Sequence, residues 1–76
     1  MDLREILMDT FKNSSIPEDI TDLKMGDLEE WDSVGNFNLI IAVEQVYQIQ
    51  FDIDHIENMT SVDEIKKGID GALSAR

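Results

Sequence analysis

Apolar positions recur along this chain in three blocks at helical spacing, separated by polar, turn-forming stretches. In the first block Leu3, Ile6, Leu7 and Phe11 fall on one face, the spacing of a half-buried helix. It predicts a helix over 2–13 with Asp2 as its N-cap. The segment "NSSIPED" ends it: Asn13, Ser14 and Ser15 form turns, and Pro17 excludes a continuing helix interior. From Pro17 to Asp32 the pattern loses its period and reads as a long loop, with one short turn near Glu18 to Leu23. Ile16, Ile20, Leu23, Met25 and Leu28 are the residues expected to pin that loop to the core. A connection of this length is unusual in a small domain and points to function.

The second block predicts a helix from Asp32 or Ser33 to about Gln48. Leu39, Ile40, Val43, Val46 and Tyr47 share one broad face and form the expected core stripe. Val34, Phe37 and Ile41 recur at i, i+3 and i+7 on nearly the opposite side. Ser33, Glu44, Gln45 and Gln48 lie beside this second stripe. Either the helix is buried all round, or the second stripe is a docking face for partners or a cover for a ligand; in so small a bundle the second reading is the better one. After "QIQFDID" a short helix is expected over Asp54 to Asn58, turning Ile53 and Ile56 inward. The third block, "MTSVDEIKKGIDGAL", predicts the last helix. Thr60 or Ser61 caps it, Glu64 stands at capping-box spacing from Ser61, and Val62, Ile65, Ile69 and Leu73 form its buried stripe. Gly68 and Gly71 weaken it slightly. No run alternates long enough for a sheet. The expectation is an all-α fold: a small up-down bundle of three main helices, with one long connection and one short helix.

Composition narrows the function. The 76 residues allow a single domain, residues 1–76, with one modest core. A hydrophobic fraction of 42% supports a folded chain. The net charge of -11, from 17 acidic and 6 basic residues, argues against nucleic acid and for partners with basic docking surfaces. There is no Cys, so the chain supplies neither disulfide nor thiolate. The start "MDLREILMDTF" lacks the features of a secretion signal, and no apolar run is long enough to span a bilayer. A cytoplasmic monomer without membrane insertion is expected. Asp52, Asp54 and Glu57 suggest a calcium loop, but the required Gly is missing and Asp63 occupies the twelfth position, so no metal site is expected. His55, the single His, reads as a surface residue, and the four Met as packing.

Ser33 is the residue that changes the picture. It stands where the second helix begins, where free backbone N–H groups and the helix dipole favour an anion. Asp32, beside it, can cap the helix. By itself an Asp-Ser pair means ordinary capping. In context, "WDSVGNFNLIIAVEQVYQIQF" resembles the phosphopantetheine attachment region of acyl carrier proteins, in which Asp-Ser-Leu opens an acidic amphipathic helix. The resemblance extends over nearly the whole chain: a first helix, a long loop, the Asp-Ser motif, "AVEQVYQIQF" where the family has Ala-Leu-Glu-Glu-Glu-Phe, and "MTSVDEI" opening the last helix.

That resemblance implies an acyl-carrier-like four-helix bundle with a long first loop. It implies that Ser33, with Asp32 beside it, receives 4'-phosphopantetheine from coenzyme A through a magnesium-dependent phosphopantetheinyl transferase. The arm would supply the thiol, and acyl groups would ride on it as thioesters. The chain itself would be no enzyme; its partners would be acyl-activating, acyltransferase or synthase enzymes. Val34, Phe37, Ile41 and Glu44 are the expected partner-binding residues. The sequence also departs from the family. Val34 replaces Leu, Trp31 replaces a small residue, Gly35 and Asn38 stand where fatty-acid carriers often have acidic residues, and Gln45 neutralises the position after Glu44. "EWDSVGNFNLI" looks more like free-standing carriers of specialised pathways. An aminoacyl, D-alanyl or peptidyl carrier, and an unmodified acidic interaction domain, are the alternatives. Trp31 either packs over the loop or meets partners.

Overall fold

The computed structural model describes residues 2–75, among which four helices and no strand are found. Helix α1 spans Leu3–Thr10, α2 Ser33–Tyr47, α3 Ile53–Ile56 and α4 Val62–Ser74. The all-α expectation and the order of three long helices with one short one hold.

Helix α1 starts as predicted. The Asp2 carboxylate accepts the Glu5 N–H at 2.9 Å, satisfying one of the donors a helix start leaves open. Leu3, Ile6, Leu7 and Phe11 are buried. The helix stops at Thr10, short of the expected Asn13, because the next residues are engaged elsewhere. Phe11 stacks on Trp31 with ring centroids 5.9 Å apart, and the Asn13 N–H and Ser14 hydroxyl both donate to Glu30 Oε1 at 2.9 Å.

The long loop is not loose. Ile20 is buried, and Ile16, Leu23, Met25 and Leu28 are partly buried against the core, as expected. Arg4 reaches from α1 to the loop carbonyls of Pro17 (2.9 Å) and Ile16 (3.2 Å). Further along, the Met25 N–H donates to the Thr60 carbonyl (2.7 Å) and the Val62 N–H to the Leu23 carbonyl (2.9 Å). These bonds flank a single antiparallel bridge between Lys24 and Ser61. So the loop is stitched to the entry of α4, by a pairing too short to leave an alternating signature.

In α2, Leu39, Ile40 and Val43 are buried and Tyr47 is half-buried, but Val46 is exposed. Val46 sits at the edge of the core arc and in the last turn. Gln48, in the left-handed conformation, ends the helix. Two other residues expected to face inward do not. Ile53 is 77% exposed; helical side chains lean toward the N-terminus, so the first residue of a one-turn helix leans off its end. Ile56, a turn later, packs against the core. Leu73 is exposed because the last turn of α4 runs to the edge of the core; Val62, Ile65 and Ile69 are buried as predicted. Ser61 caps α4, accepting the Glu64 N–H at 3.2 Å. Glu64 returns to the Ser61 hydroxyl (3.2 Å), not to its backbone. Of the two glycines in α4, Gly71 faces open space, whereas a Cβ on Gly68 would press on Met59 and Phe51.

Candidate functional site

Ser33 is the first residue of α2 and is exposed. Its setting is built by the residues on either side. The Asp32 carboxylate accepts the Gly35 N–H at 2.8 Å, and the Asp32 carbonyl accepts the Asn36 N–H at 2.7 Å. That leaves the N–H groups of Ser33 and Val34 at the helix start without an acceptor among the described residues. An anion held on the Ser33 hydroxyl would meet both the helix dipole and these donors. Asp32 thus acts as a cap, as its position suggested.

Below this turn the chain is tightly packed. Gly35 is buried directly against the Glu30 carbonyl, which a Cβ at that position would overlap. Its lack of a side chain therefore serves a close backbone approach. Gly35, which stands where fatty-acid carriers often have an acidic residue, is thus part of the packed floor and not of an exposed surface. Trp31 is completely buried, which settles its place under the site and not on a partner surface. Its indole Nε1–H donates to Asn36 Oδ1 at 2.9 Å, and its backbone is held by Gly26 (2.8 Å) and Leu28 (3.0 Å). The loop, the end of α1 and the first turn of α2 meet at this one residue.

The second apolar stripe is open to solvent: Val34 is 70%, Phe37 56% and Ile41 38% exposed. The structure brings these three together with Ser33 on one side of α2. Glu44 does not simply join them. It is half-buried, and its Oε2 accepts the Phe51 N–H at 2.8 Å, tying the end of α2 to the segment before α3.

A groove of about 290 Å³ opens beside Ser33. Ser33, Asn36 and Phe37 of α2 form one wall; Ile56 and Glu57 form the other; Met25 and Thr60 close it from the stitched loop. A larger depression of about 610 Å³ lies near the other end of α2 and is lined by Gln45, Gln48, Ile49 and Ala72, among others. Its one carboxylate, Glu44, accepts the Phe51 N–H. Among the described residues no group of three or more acidic or His side chains could hold a metal ion, and no helix is long and apolar enough to cross a membrane.

Sequence reasoning found Ser33, Asp32 and the exposed stripe but missed Trp31 with Asn36, the Glu30–Gly35 contact, and the groove. A signal for the first was present. Asn36 stands one turn before Leu39 and Ile40 on the core side of the helix, and a buried indole N–H needs an acceptor. The groove had none, because its walls come from three segments distant in sequence.

Comparison with family models, with curated proteins and with solved structures finds no match to this chain.

Proposed function

We propose that this chain is an acyl carrier protein. Ser33 takes a 4'-phosphopantetheine arm from coenzyme A, and the arm carries acyl groups as thioesters to partner enzymes. The observation that carries the reading is the place of Ser33: an exposed hydroxyl on the first turn of a 15-residue helix, capped by the neighbouring Asp32. The order of elements, with a long first connection and one short helix before the last, fits the acyl-carrier bundle that the resemblance implies.

The chemistry is a phosphoryl transfer. The Ser33 oxygen attacks the pyrophosphate phosphorus next to the pantetheine, a new phosphodiester forms, 3',5'-ADP leaves, and the hydroxyl proton passes to a base of the transferase. Magnesium belongs to the transferase. This chain's part is to present the hydroxyl clear of obstruction and to stabilise the resulting anion with the Ser33 and Val34 N–H groups and the helix dipole. With no Cys in the sequence, the thiol must come from the arm. The net charge of -11 steers the carrier toward basic surfaces, and Val34, Phe37 and Ile41 are the apolar anchors beside the attachment point. The proposed compartment is the cytoplasm.

The test is intact mass after incubation with coenzyme A, magnesium and a broad-specificity transferase. One pantetheinyl addition is expected on the wild type and none on Ser33→Ala, which should remain folded. Modification of the Ala variant, or none of the wild type, overturns the assignment. A panel of acyl- and aminoacyl-activating enzymes then separates acyl from aminoacyl cargo.

A further inference from the structure

We propose that Asn36 donates a hydrogen bond to a carbonyl of the arm carried on Ser33, holding the arm in the groove between α2 and α3, and that Trp31 is the positioning residue that aims it. This rests on the carrier reading. An indole N–H can only donate, so the 2.9 Å bond from Trp31 fixes which end of the Asn36 carboxamide faces the core. The oxygen is committed to Trp31, and the NH2 group must point the other way.

Asn36 is only 6% exposed and lines the groove beside Ser33. Its NH2 has no acceptor among the described residues, yet no side-chain nitrogen or oxygen there is both sealed from solvent and unpartnered. The NH2 therefore emerges into the groove. A nearly buried donor with little access to water gains from any acceptor that arrives. Ser33 and Asn36 are three residues apart and share one side of α2, so a group tethered to the first passes the second.

The chemistry of the groove selects the acceptor. Glu57 on the opposite wall disfavours a second anion there. The phosphate instead stays with the Ser33 and Val34 N–H groups. A neutral carbonyl accepts from the Asn36 NH2 without bringing a second charge up to Glu57. The arm offers amide carbonyls at all times and a thioester carbonyl once loaded.

The experiment follows the Asn36 side-chain NH2 signals by NMR in the unmodified protein, with the free-thiol arm, and with an acetyl-loaded arm. Attachment is verified by mass. The expected result is a shift of both NH2 protons on attachment, with solvent exchange slowed about fivefold, the effect of one ordinary net hydrogen bond. A change already present with the free thiol assigns an amide carbonyl; one that needs acetyl assigns the thioester. Trp31→Phe keeps the ring and loses the donor, so the arm should attach while the slowing is lost. Asn36→Asp keeps an acceptor for Trp31 but removes the NH2, so arm signals should return to their solvent positions. NH2 signals unchanged on a fully loaded protein overturn the inference while sparing the carrier reading. Slowing that survives Trp31→Phe overturns the positioning role. A wild type that takes no arm overturns the carrier reading and this inference with it.

Discussion

The first turn of α2 and the one-turn helix α3 border the same groove, but they are held in opposite ways. The α2 side is over-determined: Asp32 caps it, Gly35 lies against the Glu30 carbonyl, and Asn36 is bonded to the buried Trp31. In α3 the Asp52 side chain makes no cap bond, no residue is fully buried, and Ile53 faces solvent. Few buried contacts and no cap mark a segment that opens at low cost; many buried contacts mark one that does not. The proposed attachment point, Ser33, thus stands on a rigid floor, where a reactive group keeps its geometry, and the opposite wall is lightly held. On the proposed carrier function, the fixed side would present the tether to a transferase and the lightly held wall would yield as cargo leaves.

Paired substitutions can break this contrast. The largest effect is expected for Trp31→Ala, which empties a fully buried aromatic site and should cost about 3–5 kcal/mol. Ile53→Ala, on the opposite wall, should stay within about 0.5 kcal/mol of the wild type. Chemical denaturation measures both, and equal losses would remove the distinction between floor and wall.

Next comes glycine. Gly35→Ala forces a Cβ into the Glu30 carbonyl and should destabilise by about 1–3 kcal/mol, the usual range for overpacking. Gly71→Ala in α4 meets open space and should stabilise by about 0.5–1 kcal/mol through helix propensity alone. Opposite signs in thermal melts are the expected outcome; two gains would mean that the close approach at Gly35 is not needed.

The two N-caps give a smaller difference. Asp32→Ala removes a made cap bond and should cost about 1 kcal/mol. Asp52→Ala removes none and should be close to silent. Measuring amide exchange at Gly35 beside the melts would sharpen the result, since that N–H alone loses its acceptor.

The smallest effect concerns the loop that feeds the floor. The carboxyl of Asp27 lies below its usual 3.8 because the Lys24 N–H and then the Lys24 side chain donate to it. That of Asp19 is lowered by the Thr21 hydroxyl and then the Thr21 N–H. A lowered carboxyl stabilises the fold above its unfolded value and loses that contribution as pH falls through the lower folded value. Both groups should therefore titrate below 3.8 by NMR, and Asp27→Asn should flatten the acid side of the stability curve slightly. Titration of Asp27 at or above 3.8 would mean that the turn at Lys24–Asp27 is not held in solution. Against this runs the relief of repulsion among the 17 acidic residues, so added salt near neutral pH should raise the melting temperature.

Helical periodicity, capping residues and Pro17 were enough to place all the helices, and the end of α2 came within a residue, because these signals are local. The split of α2 into a core stripe and the exposed Val34, Phe37 and Ile41 was also legible, since helical geometry assigns faces without knowing the neighbours. What neighbours decide was not legible. Val46, Ile53 and Leu73 carry the right residue type at the right spacing, yet each sits at the end of its helix, where burial depends on whether another element reaches that far. The floor of the site escaped for the same reason. Asp32 and Ser33 announce themselves through adjacency; the Trp31–Asn36 bond and the Glu30 carbonyl over Gly35 join residues only five apart but depend on how the end of the loop turns into α2, and the groove between α2 and α3 arises only when distant segments fold together. Local sequence determined which residues could cap, turn and bury; tertiary packing decided how far burial reached at the helix ends and which segments walled the groove, because those outcomes join parts that the chain itself does not place side by side.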